Sequence, residues 1–118
     1  MSKNRAQKEL EDFEAVFKAL SHSSRRHILT VLLARNGQMT AGEIADRFSC
    51  SWPTTTRHLR VLQTAGLLNV EQNGREWTYK LNSVRLRSVV GTWLDFFETK
   101  QEGETHDKTR DRIRNLQT

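Results

Sequence analysis

Among its 118 residues the chain carries a single cysteine, Cys50. An internal disulfide is therefore excluded, and a thiol kept free fits a reducing compartment. Long apolar runs are missing as well. The longest strongly apolar stretch, Ile28 to Ala34, contains a threonine and is far too short to cross a bilayer. The start, Met1-Ser2-Lys3-Asn4-Arg5, leads into charged sequence with no apolar signal core. There is no internal repeat and no low-complexity tract. No nucleophile–base pair, phosphate-cradling glycine loop or carboxylate cluster asks for an enzyme. These absences point to a soluble, cytoplasmic protein with no catalytic role and no membrane contact. Apolar residues are also scarce, at 36%, so the chain has a small core, long polar ends, or a surface completed by a second subunit.

What the chain has in surplus is positive charge. The formal net charge is +5, which favours a polyanionic partner, either nucleic acid or an acidic membrane surface. The length suits one domain. Residues 1–7 are expected to be a flexible N-terminus, residues 8–98 the folded domain, and residues 99–118 a charged tail whose only aliphatics are Ile113 and Leu116.

Periodicity orders the elements. Leu10, Phe13, Val16, Phe17 and Leu20 form a helical stripe within residues 8–20. Ser21-His22-Ser23-Ser24 interrupts it, and a second helix over about 24–35 ends at Asn36-Gly37. Thr40 and Glu43 form a capping box that opens a short helix over about 40–48, with Ile44, Ala45 and Phe48 inward. After a tight connection through Cys50, expected to be a partly buried turn residue, Ser51 caps a helix running to about Thr64 with Pro53 in its first turn. Ala65-Gly66 closes that helix. Alternation then takes over: Leu68 and Val70, then Trp77, Tyr79 and Leu81, point one way on either side of Asn73-Gly74. That dipeptide signals a hairpin turn because both positions tolerate positive φ. A last helix spans about 83–98. The expected fold is mainly α with a small β-hairpin: five main helices plus a wing, a winged helix-turn-helix.

In such a pair the second helix lies in the major groove. With Thr55, Leu59 and Leu62 inward, the opposite face of helix 51–64 presents Trp52, Thr56, Arg57 and Arg60, flanked by Thr54 and His58. The guanidinium fork of Arg57 matches guanine O6 and N7. Trp52 and the threonine methyls suit thymine methyls, while Ser51, Thr54 and the free N–H groups of the helix start suit phosphate. Arg75 at the hairpin tip is placed to reach phosphates or the minor groove. The partner so implied is double-stranded DNA.

Several segments together resemble the ArsR/SmtB repressors: Ala19-Leu20-Ser21-His22-Ser23-Ser24-Arg25-Arg26-His27-Ile28-Leu29, Met39-Thr40-Ala41-Gly42-Glu43-Ile44-Ala45, Ser51 through Leu62, and Ala65-Gly66-Leu67-Leu68. The resemblance covers about residues 13–97. It implies a homodimer with the first and last helices at the interface, a recognition helix at Ser51–Thr64, a wing around Asn73-Gly74, and repression of nearby genes. Two departures concern metals. The family's metal sensors often carry paired cysteines in the helix before the recognition helix; here Thr40-Ala41-Gly42-Glu43-Ile44-Ala45-Asp46 has none. Other members place Asp and His ligands along the last helix; here it has Asp95 and Glu98 but no histidine. The four histidines are scattered over different segments, so no metal and no cofactor is expected, as in the metal-independent branch.

The last helix is apolar on more than one side, with Val90, Trp93, Leu94, Phe96 and Phe97. A helix of that kind has a second surface to bury. The expected dimer interface comprises Phe13, Val16, Phe17, Val90, Trp93, Leu94 and Phe97. Two alternatives stay open: a metal- or redox-responsive sensor of the same fold, and a protein-interaction module that has lost DNA binding.

Overall fold

The computed structural model describes residues 4–98 and Arg114. The expected tail at 99–118 therefore lies outside the described residues except for Arg114. The first helix begins earlier than the apolar stripe alone indicates. Asn4 caps it by accepting the Gln7 N–H at 2.7 Å, so α1 spans Arg5–Leu20 and the expected flexible segment 1–7 is helical from Arg5 onward. A side-chain cap satisfies an N–H that the first turn leaves unpaired, which is enough to extend the helix into polar sequence.

The second helix, α2, spans Ser23–Ala34 and is capped by the His22 ring, whose Nδ1 accepts the Ser24 N–H at 3.1 Å. It ends as the dipeptide Asn36-Gly37 requires. Both residues have positive φ, +64° and +87°, and the Gly37 N–H reaches back to the Leu32 carbonyl at 2.7 Å. A short strand that periodicity did not reveal follows, β1 over Gln38–Thr40. The helix α3, Ala41–Arg47, carries both hydrogen bonds of the capping box: Glu43 N–H to Thr40 Oγ1 at 3.1 Å, and Thr40 N–H to Glu43 Oε1 at 2.9 Å. Ala45, expected to face inward, is exposed, as is Cys50; only Ile44 of α3 is fully enclosed.

The helix α4 spans Trp52–Thr64, and strands β2 (Leu68–Asn73) and β3 (Glu76–Leu81) form the wing. The sheet is antiparallel with order β1-β3-β2. Asn73 pairs with Glu76, so the two loop residues are Gly74 and Arg75, one step later than expected. Only Gly74, at φ +63°, takes the left-handed backbone there. The turn thus needs glycine at its first central position and asks nothing unusual of Asn73.

Leu68 faces Leu81, Val70 faces Tyr79 and Gln72 faces Trp77, which puts the apolar residues of both wing strands on one side as alternation predicts. Burial fades along the strands, however, from Leu68, which is enclosed, to Trp77, which is exposed, because the hairpin outruns the core. A final helix, α5, spans Ser83–Asp95. The core is drawn from every layer: Val16 of α1, Leu32 of α2, Met39 of β1, Ile44 of α3, Leu59 and Leu62 of α4, and Leu67-Leu68 at the start of the wing are all shut off from solvent.

Candidate nucleic-acid interface

The face of α4 turned to solvent is set by what the opposite face must bury. Thr55, His58, Leu59 and Leu62 recur at spacings of three, one and three and are buried. Pro53, Arg57, Arg60 and Thr64, at spacings of four, three and four, are therefore turned outward, and all four are exposed. At the start of the helix Ser51 is exposed, and its Oγ accepts the Thr54 N–H and donates to Thr54 Oγ1 at 3.0 Å. Trp52 is exposed beside them. The structure thus leaves Ser51 at the cap and Trp52, Arg57 and Arg60 of α4 exposed, with Thr54 half-buried beside Ser51. Arg75 is exposed at the wing tip. None of Arg57, Arg60 and Arg75 is paired with a carboxylate among the described residues.

Two of the residues expected at this face are placed differently. Thr56 is half-buried and its Oγ1 is enclosed, without a hydrogen-bond partner among the described residues, so what it offers to solvent is carbon rather than hydroxyl. His58 is buried against α2, with its Nδ1 3.1 Å from Nη1 of Arg25 and its ring 4.5 Å from that of His22. A side chain held inward in this way cannot reach a base edge. The stripe of polar residues told of an exposed face but carried no information about Arg25, which lies far away in sequence.

One cation was missed. Lys18 of α1 joins Arg57 and Arg60 around a groove of about 400 Å³ between α1 and α4, floored by Ala15, Val61 and Ala65. Its signal was present in sequence only as the lone basic residue in the last turn of α1. Three cations round one groove, with no acid among its lining residues, suit a phosphate backbone. A shallower cleft joins the start of α3 to Arg75 and Trp77 of the wing.

The same architecture recurs among known proteins. A family profile described as "Helix-turn-helix domain" matches residues 20–71. The transcriptional repressor SdpR of Bacillus subtilis is 38% identical over 81 residues, covering 69% of this chain and 88% of that one. An ArsR-like transcriptional regulator from Rhodococcus sp. RHA1 superposes with a TM-score of 0.65 at 28% identity, covering 90% of this chain and 92% of that one. The chain belongs to the ArsR family of winged helix-turn-helix transcriptional regulators. It is a DNA-binding transcriptional repressor. A homodimeric winged helix-turn-helix DNA-binding domain from Mycobacterium bovis shares the fold, with a TM-score of 0.63 at 22% identity over 80% of this chain and 86% of that one.

Within this ArsR-family fold the expected dimer residues divide into two sets. Phe13 and Val16 are closed inside the subunit, Phe13 edge-on to Phe96 at 5.6 Å, so neither is available to a second chain. Periodicity identifies the buried stripe of α1 but cannot say that α5 of the same chain covers it. Phe17 and Val90 are half-buried, whereas Trp93, Leu94 and Phe97 are exposed. Phe17, Trp93 and Phe97 form a continuous aromatic ledge with ring separations of 4.9 Å. Among the described residues no group of three His, Cys, Asp or Glu converges as a metal site, and no helix is long and apolar enough to cross a membrane.

Proposed function

We propose that this ArsR-family repressor acts in the cytoplasm as a homodimer that reads a palindromic operator, each subunit placing the outward face of α4 in a major groove. The observation that carries the reading is the exposed Arg57–Arg60 stripe, opposite the residues that anchor α4 to its own core. Arg57 supplies a fork for a guanine edge. Lys18 and Arg60 hold phosphates from the groove beside it, and Arg75 grips the backbone from the wing. Ser51, Thr54 and Trp52 contact the duplex from the helix start.

The dimer follows from the α5 ledge. Leaving Trp93, Leu94 and Phe97 in water forfeits roughly 1.5–3 kcal/mol for each full side chain that a partner would bury. A second copy presents the same ledge, so a two-fold contact is self-complementary, and the M. bovis relative described as homodimeric supports it. Two α4 helices in such a pair reach successive major grooves about 34–36 Å apart.

Binding-site selection from random DNA, followed by titrations of variants on the selected duplex, tests this. Arg57→Ala should cost about 1–3 kcal/mol and relax preference at one base pair per half-site. Arg75→Ala should weaken binding to every sequence alike and lower the salt slope. If Arg57→Ala leaves both affinity and preference intact, α4 does not read bases through this face.

A further inference from the structure

The inward face of α4 carries one titratable side chain, His58, among Thr55, Leu59 and Leu62. Its Nδ1 lies 3.1 Å from Nη1 of Arg25. An arginine has only donors and keeps its charge at any ordinary pH. Nδ1 must therefore present its lone pair, which makes His58 neutral with its proton on Nε2.

Arg25 has little freedom to adapt. Its Nε donates to the Ala19 carbonyl at 2.8 Å and its Nη2 to the Lys18 carbonyl at 3.1 Å, both in the last turn of α1. Arg26 beside it donates to the Leu20 carbonyl at 2.7 Å. The C-terminal end of a helix attracts cations, so the two arginines cap α1, and the free edge of Arg25 is left aimed at His58.

We propose that Arg25 is a positioning residue for DNA recognition, one that sets α4 through an uncharged His58, so that protonation of His58 releases the helix and weakens operator binding. The inference rests on the DNA-binding reading above.

Among the described residues no carboxylate faces His58 to steady an imidazolium. The α1 carbonyls of Lys18 and Ala19 are engaged by Arg25. From α2 and its cap come Arg25 and the His22 ring, whose Nδ1 is itself an acceptor for Ser24 N–H. A cavity of about 260 Å³ on another side is lined by His27, Arg47 and Cys50 and holds no carboxylate. From α4 itself comes Arg57. Burial, followed by the charges of His22, Arg25 and Arg57, holds the His58 imidazole below its ordinary value of 6.5. A histidine with a depressed pKa contributes its full stabilisation above about pH 6.5 and loses it as pH falls through the folded-state value.

Two measurements on the full chain decide the matter. The first uses no DNA: NMR titration of the imidazole resonances at low protein concentration. Wild-type His58 should keep Nδ1 unprotonated at pH 8 and titrate below the ordinary value of 6.5, and Arg25→Ala should raise its midpoint. The second measures affinity for a duplex selected at pH 8, from pH 8 down to pH 5. Wild-type affinity should hold through pH 6.5 and fall only as pH drops through the lowered His58 value, by up to about tenfold per pH unit for each subunit. His58→Asn places an amide oxygen where Nδ1 was. It should bind within about threefold of wild type at pH 8 and show a flatter profile in acid. His22→Asn should retain the fall. Arg25→Ala should lose at least about tenfold at pH 8, with Arg25→Lys in between. Parallel pH profiles for wild type and His58→Asn, or a protonated Nδ1 at pH 8, would overturn the proposal. A wild-type chain that selects no duplex at pH 8 would reject the DNA-binding reading instead, while the imidazole titration would still judge the contact between Arg25 and His58.

Discussion

The layer that contains α2, α3, α4 and the wing closes its core within one chain, whereas the layer formed by α1 and α5 does not. In the first, Leu32, Met39, Ile44, Leu59 and Leu62 are fully enclosed, and the residues turned outward are mostly polar or charged. In the second, Phe13, Val16 and Phe96 are buried, yet Trp93, Leu94 and Phe97 stand in solvent beside half-buried Phe17 and Val90. The contrast separates two tasks. A helix that must present the same side chains to every duplex needs a complete floor of its own. In the proposed homodimer, a helix that joins two copies is stable only when its second face is covered. Two arginines tie the layers together at points along α4. Arg25 links the end of α1 to His58, and Arg85 of α5 donates to the Ala65 carbonyl just past α4 and to Asp12 of α1.

The comparison is broken most forcefully by matched truncations in the two layers. Leu62→Ala removes a fully enclosed side chain under α4 and should destabilise the fold by about 2–5 kcal/mol, since the cavity collapses only in part. Phe97→Ala removes a ring that is exposed in the subunit. It should leave the unfolding free energy of the dissociated chain within about 0.5 kcal/mol while weakening self-association. Urea unfolding at several protein concentrations, with sedimentation, separates the two. Equal and concentration-independent losses would mean that the α5 ledge belongs to the subunit core.

A smaller effect tests the tie between the layers. Arg85→Ala removes donations at 3.2 Å to Ala65 and 3.1 Å to Asp12. The ion pair is about a third exposed on each side and so contributes little by itself. Together with the carbonyl contact the loss should be about 1–2 kcal/mol. It should also lower hydrogen-exchange protection at the end of α4 more than at its start. Uniform loss of protection along α4 would show that the tie does not act locally. Gly66 has its own part in this contact: at φ +81° a Cβ there would sit 3.0 Å from Nε of Arg85.

Sequence revealed most about the parts held by local chemistry. Asn36-Gly37, the Thr40–Glu43 box, the Ser51 cap with Pro53, and Gly66 mark element ends through contacts within a few residues. The outward stripe of α4 was legible for the same reason, because it is the complement of a periodic buried face. Features decided by distant partners were not. The strand β1 is only three residues long and exists because β3 pairs with it. His58 sits in a polar run, and its partners Arg25 and His22, which hold it on the buried face, are distant in sequence. Trp77 alternates correctly with Tyr79 and Leu81, but alternation cannot say where the core stops beneath the sheet. Phe13 and Val16 read equally well as core or as interface until both are seen closed inside the subunit, Phe13 against Phe96.

The smallest expected effect sharpens the comparison from the closed side, at the start of α3. Thr40 accepts from Glu43 N–H, and Glu43 returns the contact to Thr40 N–H. Thr40→Ala should cost about 1 kcal/mol, the usual loss of an N-cap. Hydrogen bonds from the Thr40 backbone and side chain, followed by the charge of Arg35, hold the Glu43 carboxyl below its ordinary value of 4.5. A depressed carboxylate stabilises the folded state above its unfolded-state pKa and loses that contribution as pH falls through the folded one. Stability of the wild type should therefore decline between about pH 4.5 and the lower folded-state value, and Glu43→Gln should remove part of that decline while keeping a side chain able to accept from Thr40 N–H. Acid unfolding curves of the two proteins measure the difference. An unchanged slope would mean that the reciprocal contact orders the turn without coupling its charge to folding, and that α3 is held by Ile44 beneath it rather than by its cap.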